Sequence, residues 1–288
     1  MSGARYFAYG SNLDAADRAD WSARTGHPLA LGAGVPAFLP DFELVFYYHS
    51  RSRGGGALDV RTQVGAAVMG ALFTPSDEEW AALDRKEGAT VRYARTPVIC
   101  LDHAGEEHRA ITYCVEPAYR EPEHVLPTAD YVEICTRGLR AHGHEPSALE
   151  RAARGSNPAW PGALFVYGTL LGDASHSGML DVDERIAARV EGRLVDLGEY
   201  PGWIVSELDR ASDVAAVRGE LVTLRDPETT MLRLDEYEGF AGYGAPGSLY
   251  RRVLTRVRTD DGERWAWAYR YVGSRPGRPI DGGDWRRR

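Results

Sequence analysis

An internal repeat constrains the fold of this 288-residue chain more than any other feature. Two strand-like segments, rich in aromatic and branched residues, run into the turns Tyr-Gly-Ser and Tyr-Gly-Thr at residues 9–11 and 167–169. Each turn is followed later by a Leu-Asp-x-x-Glu-Gly segment, at residues 83–88 and 234–239. Because two signals recur in the same order at similar spacing, the sequence predicts a duplicated domain.

The length and composition agree with two folded domains. A chain of 288 residues with 43% hydrophobic and 26% charged residues is typical of a globular protein that is large enough for two cores. A polar segment rich in Pro, Ala and Arg separates the two halves. We therefore predict one domain over residues 1–145, a linker over 146–160 and a second domain over 161–288.

Charge and residue usage exclude several classes of function. The net charge of −8 gives no excess of cations for a phosphate backbone, so we expect no nucleic-acid partner. Lys86 is the only lysine, which argues against pyridoxal phosphate, P-loop and kinase chemistry. The sequence has three cysteines, no secretory h-region and no long apolar run, so we expect a cytoplasmic protein without a membrane partner.

Two short patterns resemble cofactor or metal motifs without their context. Residues 32–37 match G-x-G-x-x-A, but Pro36 stands where a helix would form and no βαβ pattern surrounds it. His142 and His144 have no third ligand at a sensible spacing. We therefore expect neither a cofactor nor a metal ion.

The Glu-Gly segments are predicted to end two equivalent helices. Ser76 and Glu79 form a capping-box pattern, so a helix is expected from Asp77 to about Glu87, ended by Gly88. The dipeptide at 226–227, Asp-Pro, begins the second helix.

Both repeated glutamates continue an apolar stripe of their helix. Glu87 and Glu238 lie seven residues after Trp80 and Met231, a spacing that places them on the buried face. Burial and the negative end of the helix dipole both disfavour a charged carboxylate and so raise its pKa. Such a group is suited to act as a general base near neutral pH.

The Tyr-Gly turns supply the complementary groups. A strand that ends in Gly-Ser or Gly-Thr can direct several backbone N–H groups into one concavity, which then holds an anion or a developing oxyanion. The pairing of each turn with a Glu-Gly segment is what makes this short pattern specific.

Both halves resemble the γ-glutamylcyclotransferase family. The first half does so through Tyr6 to Leu13 followed by Leu83 to Gly88. The second half is similar to the AIG2-like, γ-glutamylamine-cyclotransferase branch through residues 165–170, 196–202, 234–239 and 283–285. The resemblance implies an α+β fold with two tandem domains, each a small mixed β-barrel with flanking helices.

The resemblance also implies the site and the reaction. Glu87 and Glu238 would be the catalytic residues, and no metal or cofactor would be needed. The substrate, a γ-glutamyl amide, would be cyclised by its own α-amine to release 5-oxoproline and a free amine. The substrate-binding residues implied are Tyr6, Phe7, Ala8, Tyr9, Gly10, Ser11, Asn12, Tyr113 and Tyr131 in the first half, and Tyr167, Gly168, Thr169 and Leu170 in the second.

Two other functions remain open on the sequence alone. Ser11 could be the nucleophile of an amidohydrolase, although G-x-S-x-G is absent and no histidine has a counterpart in the other half. A small barrel with a polar pocket could also bind a ligand without turnover.

Overall fold

The computed structural model describes residues 3–89, 91–205 and 216–288. The chain divides into two compact units, residues 1–160 and 161–288. Each unit contains a closed five-stranded barrel, accompanied by four α-helices in the first unit and by one among the described residues of the second, which confirms the α+β fold with two tandem barrel domains. Within the described ranges, no helix is long and apolar enough to cross a membrane.

The first barrel has the strand order β1-β3-β2-β4-β5 and closes through a parallel pair between β1 and β5. Its strands are β1 (Arg5–Ala8), β2 (Val35–Ser50), β3 (Gly55–Phe73), β4 (Tyr93–Asp102) and β5 (Glu107–Val115). Its helices are α1 (Ala15–Thr25), α2 (Asp77–Glu87), α3 (Ala129–Ala141) and α4 (Ser147–Ala153). The Tyr-Gly turn follows β1, and its 3-10 turn spans Ser11–Leu13.

The second barrel repeats this architecture with the order β10-β6-β12-β11-β7 and a parallel pair between β6 and β12. Its strands are β6 (Ala163–Val166), β7 (Val182–Glu191), β10 (Ala216–Leu224), β11 (Tyr250–Thr259) and β12 (Gly262–Tyr271). One helix, α5 (Pro227–Tyr237), lies between β10 and β11. A separate small sheet contains β8 (Arg193–Asp196), β9 (Pro201–Ile204) and β13 (Arg278–Pro279).

A glycine at equivalent places lets the strand before each Tyr-Gly turn pack closely in its barrel. A Cβ at Gly70 would lie 2.2 Å from the carbonyl oxygen of Ala8, and one at Gly219 would lie 2.1 Å from that of Val166. Both contacts are far shorter than a Cβ tolerates. The rings of Phe7 and Phe165 cover these two glycines, so only a residue without a side chain fits there.

The two helices that end in Glu-Gly form as the sequence predicts. Ser76 accepts a hydrogen bond from the N–H of Glu79, whose carboxylate in turn accepts from the N–H of Ser76. Gly88 ends α2 in the left-handed conformation, with φ of 62°. The Asp226 carboxylate caps α5 at Thr229 N. Glu238 is the residue that ends α5.

Residues 146–160, which the sequence suggests as a linker, fold onto the first barrel. They include α4, in which Leu149 is fully buried. The carbonyl of Trp160 accepts a hydrogen bond from Ala67 N, and its ring stacks on Phe38 with 5.7 Å between centroids. Apolar side chains in this polar segment therefore give it a packed position in the unit formed by residues 1–160.

Candidate active sites

The first cleft lies where the Tyr-Gly turn of the first half meets the end of α2. The amide of Asn12 donates from Nδ2 to Glu87 Oε1 at 2.7 Å and to the hydroxyl of Tyr6 at 2.8 Å. The cavity is small, about 40 Å³. Its lining residues are Tyr6, Tyr9, Gly10, Ser11, Asn12, Leu58, Glu87, Tyr93, Tyr113 and Tyr131.

A network of charged groups supports one side of this cleft. The ammonium of Lys86 donates to Asn12 Oδ1 at 2.6 Å and to Asp17 Oδ2 at 2.9 Å. The Arg53 guanidinium binds both oxygens of Asp17 at 2.8 Å, and its NH2 group lies 3.2 Å from Ser11 Oγ. The network therefore places two cations beside Ser11, with the Asp17 carboxylate between them.

Burial raises the pKa of the Glu87 carboxyl, because a charged carboxylate loses hydration in the cleft. The ammonium of Lys86, the amide of Asn12 and the guanidinium of Arg53 oppose that rise by stabilising the charged form. Burial also acts on Asp17, but Arg53 and Lys86 outweigh it and lower the pKa of Asp17 to about 2. Asp17 therefore stays ionised, whereas Glu87 is the group able to exchange a proton.

The second cleft occupies the equivalent place in the second barrel. It is larger, about 190 Å³, and mainly apolar and aromatic. Among the described residues that line it, Glu238 is the one carboxyl group, and none is lysine, arginine or histidine. Its lining residues are Leu164, Phe165, Val166, Tyr167, Gly168, Thr169, Leu170, Tyr200, Pro201, Tyr237, Glu238, Leu249, Tyr250 and Tyr269.

The Glu238 carboxyl has a strongly perturbed acidity. Burial raises the pKa of Glu238 to about 8. The residue equivalent to Asn12 here is Leu170, whose side chain has no group to donate to a carboxylate. A carboxyl with this pKa exchanges protons readily near neutral pH.

The structure brings most of the predicted site residues into the two clefts. Tyr6, Tyr113 and Tyr131 line the first cleft together with Glu87. The turn at 9–12 completes that wall, and the turn at 167–170 lines the second cleft.

Two predicted binding residues lie elsewhere. Phe7 and Ala8 are fully buried and do not line the first cleft. The strand that carries them belongs to the closed barrel, and successive side chains of a strand point to opposite faces, so the two pack on either side of the barrel wall before the chain reaches the turn.

Sequence reasoning missed the residues that give each cleft its chemical character. Asp17 and Arg53 are distant in sequence from both motifs, and no local pattern connects them. Lys86 could have been found, because the one lysine of the chain directly precedes Glu87. Tyr200 lies in the 196–202 segment that carries the family resemblance, and Tyr250 lies on β11, but the directions of both side chains depend on how the barrel closes.

Comparisons with known proteins agree with the duplicated architecture. The family model described as "Gamma-glutamyl cyclotransferase, AIG2-like" matches residues 6–133 and again residues 164–287. A curated relative from Niallia circulans, gamma-L-glutamyl-butirosin B gamma-glutamyl cyclotransferase, is 33% identical over 111 residues. That match covers 38% of this chain and 65%, less than two thirds, of the relative.

Solved structures with lower identity also match. One, a gamma-glutamyl cyclotransferase, is 23% identical with a TM-score of 0.43, over 54% of this chain and 89% of that one. YkqA from Bacillus subtilis is 15% identical with a TM-score of 0.33, and the match covers 93% of this chain and 84% of the YkqA chain. Because the family model accounts for both barrels, the chain belongs to the AIG2-like gamma-glutamyl cyclotransferase family.

Proposed function

We propose that this protein cyclises γ-glutamyl amides, with Glu87 and Glu238 as the acid/base residues of two separate sites. The supporting observation is that each half places a half-buried glutamate, whose pKa is raised by loss of hydration, in one cleft with a Tyr-Gly turn. A reaction that needs one proton acceptor and a place for an oxyanion fits this arrangement.

The reaction joins two parts of one substrate. The α-nitrogen attacks the γ-carbonyl carbon, a new C–N bond closes a five-membered ring, and the original amide C–N bond breaks. The glutamate takes a proton from the α-ammonium, which frees the lone pair, and returns a proton to the departing nitrogen. The products are 5-oxoproline and an amine, and no water is consumed.

The cleft contributes mainly by holding the substrate in a folded conformation. Intramolecular attack has a high effective concentration once the nitrogen and the carbonyl carbon are aligned. The first N–H groups of a short helical turn have no partner within that turn, so those after Gly10 and Gly168 can stabilise the oxyanion. A protein that supplies these groups in a site shielded from water lowers the barrier to ring closure.

The two clefts differ enough to favour different leaving amines. The first is small and has Lys86 and Arg53 beside its turn, whereas the second is about 190 Å³ and apolar. Substrates with a carboxylate on the amine side fit the cationic surroundings of the first. Neutral amides with a large amine fit the second, and the N. circulans relative is named for a γ-glutamyl group on butirosin B.

A panel of γ-glutamyl amides tests the proposal. Wild type, Glu87→Gln, Glu238→Gln and the double variant are incubated with γ-glutamyl amino acids, γ-glutamyl alkylamides and γ-L-glutamyl-butirosin B, and 5-oxoproline is measured by mass. We expect each single variant to lose one group of substrates and the double variant to lose both. Glu236→Gln, an exposed change on the same helix as Glu238, is the matched control. Release of glutamate instead of 5-oxoproline would contradict the proposal.

A further inference from the structure

In each barrel, two tyrosine hydroxyls connect the Tyr-Gly turn to the helix that carries the glutamate, and the same hydrogen bonds recur in both barrels. In the first barrel the Tyr9 hydroxyl donates to the carbonyl of Tyr113 at 2.7 Å. The Tyr113 hydroxyl donates to Asp84 Oδ1, also at 2.7 Å. Asp84 lies on α2, three residues before Glu87.

The second barrel contains the same chain of contacts. The Tyr167 hydroxyl donates to the carbonyl of Tyr269 at 2.6 Å. The Tyr269 hydroxyl donates to Asp235 Oδ1 at 2.7 Å. Asp235 lies on α5, three residues before Glu238. Tyr113 and Tyr269 therefore play the same part in the two barrels. The main-chain carbonyl of each accepts a hydrogen bond from the turn tyrosine, and the side-chain hydroxyl donates one to the aspartate on the glutamate helix.

An arginine completes each arrangement from the neighbouring strand. Arg95 binds the Asp84 carboxylate at 2.8 and 2.9 Å, and Arg252 forms an ion pair with Asp235 at 3.2 Å. We call these the first Tyr-Asp-Arg cluster (Tyr113, Asp84, Arg95) and the second Tyr-Asp-Arg cluster (Tyr269, Asp235, Arg252). Arg95 is the cross-strand partner of Tyr113, and Arg252 is that of Tyr269, so the register is also repeated.

The clefts themselves differ in size, charge and lining, yet this support is the same in both. The equivalents of Asn12 and Lys86 are Leu170 and Tyr237, so the residues around the glutamate have diverged. What the two halves share is the connection between the turn and the glutamate helix. Geometry that is shared by two otherwise different sites indicates that both need it. Here the shared need is a fixed distance between the glutamate and the turn.

We propose that the two Tyr-Asp-Arg clusters are positioning devices, in which Tyr113 and Tyr269 hold the glutamate helix against the substrate turn. In this role the tyrosine hydroxyl acts through the aspartate, and the glutamate performs the proton transfer. The second cluster is the more buried one, with its arginine 1% and its aspartate 20% exposed, against 25% and 38% in the first. Because charge-assisted hydrogen bonds strengthen as water is excluded, the second cluster should show the larger effect.

Removal of one hydroxyl tests the proposal, and its kinetic arm rests on the proposed cyclisation. Tyr269→Phe is made in the Glu87→Gln background, so that turnover comes from the second cleft alone. We expect kcat to fall ten- to a hundredfold, as misplacement of a reacting group by less than about 1 Å can produce, while KM changes less than about twofold. Tyr113→Phe in the Glu238→Gln background should also lower the kcat of the first cleft, but by a smaller factor, because the first cluster is more exposed.

A titration of Glu238 tests the same point without turnover. The carboxyl carbon of Glu238 is followed by carbon NMR and assigned by its absence in Glu238→Gln. We expect a midpoint near pH 8 in the wild type. A midpoint at least about one unit lower is expected in Tyr269→Phe, because a displaced helix end admits water. If the wild type forms no 5-oxoproline, the proposed function fails, but this titration still decides the role of Tyr269.

A second tyrosine on the same strand provides the matched control. The Tyr271 hydroxyl donates to the carbonyl of Arg275 at 3.3 Å, so Tyr271→Phe also removes one bonded hydroxyl from β12. We expect wild-type kinetics and a wild-type titration from it. A Tyr269→Phe protein that matches Tyr271→Phe in kcat and in the Glu238 midpoint overturns the proposal, even if its melting temperature is lower.

Discussion

Lys86 and Tyr237 occupy the same place in the two repeats, one residue before the glutamate, but they make different contacts. Lys86 donates to Asn12 Oδ1 at 2.6 Å, whereas the Tyr237 hydroxyl lies 3.1 Å from Thr169 Oγ1. The first contact brings a positive charge towards the Glu87 carboxylate, and the second brings none towards Glu238. The two glutamates should therefore titrate differently although their backbone positions correspond.

The pH dependence of turnover should reveal this difference. Only the ionised carboxylate accepts a proton, and kcat/KM reports the ionisation of the free enzyme, so the kcat/KM of Glu87→Gln, which retains the second cleft, should rise about tenfold per pH unit below 8 and level off above it. In Glu238→Gln only the first cleft remains, where Lys86, Asn12 and Arg53 stabilise ionised Glu87. The midpoint of its pH profile should therefore be lower than that of the second cleft. Initial rates of 5-oxoproline formation from pH 5 to 10 provide the measurement. Identical profiles would contradict the prediction.

Replacement of Glu238 should stabilise the protein at alkaline pH. The pKa of Glu238 is raised in the folded state, so folding retains a proton that the unfolded chain releases between about pH 4.5 and 8. The stability associated with the neutral carboxyl is thus present at low pH and is lost as pH rises through 8. Glu238→Gln should gain about 2 kcal/mol over wild type at pH 9, less than the full shift implies because water partly screens the group.

Denaturant unfolding at pH 4.5 and pH 9 checks this, with Glu236→Gln as the exposed control. The gain should nearly disappear at the lower pH, because Glu238 is then neutral in the folded state and only about half ionised in the unfolded state. An equal gain at both values would mean that packing, not charge, is responsible.

Replacement of Asp17 should have the opposite pH dependence. The pKa of Asp17 is lowered to about 2, so its contribution to stability is present above the unfolded value near 4 and is lost as pH falls through 2. Asp17→Asn leaves the ammonium of Lys86 and the guanidinium of Arg53 without their shared carboxylate. We expect a loss of about 2 to 4 kcal/mol at pH 7 that shrinks between pH 4 and 2, measured by urea unfolding.

Asp20, an exposed aspartate on the same helix as Asp17, provides the matched control. Asp20→Asn should change stability by less than about 0.5 kcal/mol. A loss in Asp17→Asn that stays constant down to pH 2 would show that the ion pairs contribute little.

The internal repeat was enough to predict two equivalent domains and to identify the glutamate in each of them. The capping box at Ser76 and the glycine at 88 are local signals, so the limits of α2 followed from them. Closed barrels depend on pairs such as Arg5 with Ala110, which lie far apart in the chain. The contact between Arg53 and Asp17 could not be predicted for the same reason. The two residues are far apart in sequence, and side chains that meet only when the barrel closes leave no periodic pattern.

For Tyr113 the sequence match predicted the location of the residue but not the contact that its hydroxyl makes. The family resemblance implies that it contacts substrate, and it does line the first cleft. Its hydroxyl, however, donates a hydrogen bond to the Asp84 carboxylate. Its counterpart Tyr269 was not anticipated at all, because strand residues far from the motifs are distinguished only by their partners.

Ser11→Ala separates cyclisation from hydrolysis by a serine nucleophile. The Ser11 hydroxyl lies 3.2 Å from Arg53 NH2 and 3.4 Å from Lys86 Nζ, two groups that also bind Asp17. Since both cations keep that carboxylate when the hydroxyl is removed, the wall of the cleft should persist. In the Glu238→Gln background we expect kcat for 5-oxoproline formation within about threefold of the parent, whereas Glu87→Gln should lower it by a factor of about a hundred or more. A serine nucleophile would give the reverse order, with Ser11→Ala inactive, Glu87→Gln active and free glutamate as the product, so one mass measurement on the two variants decides between the reactions.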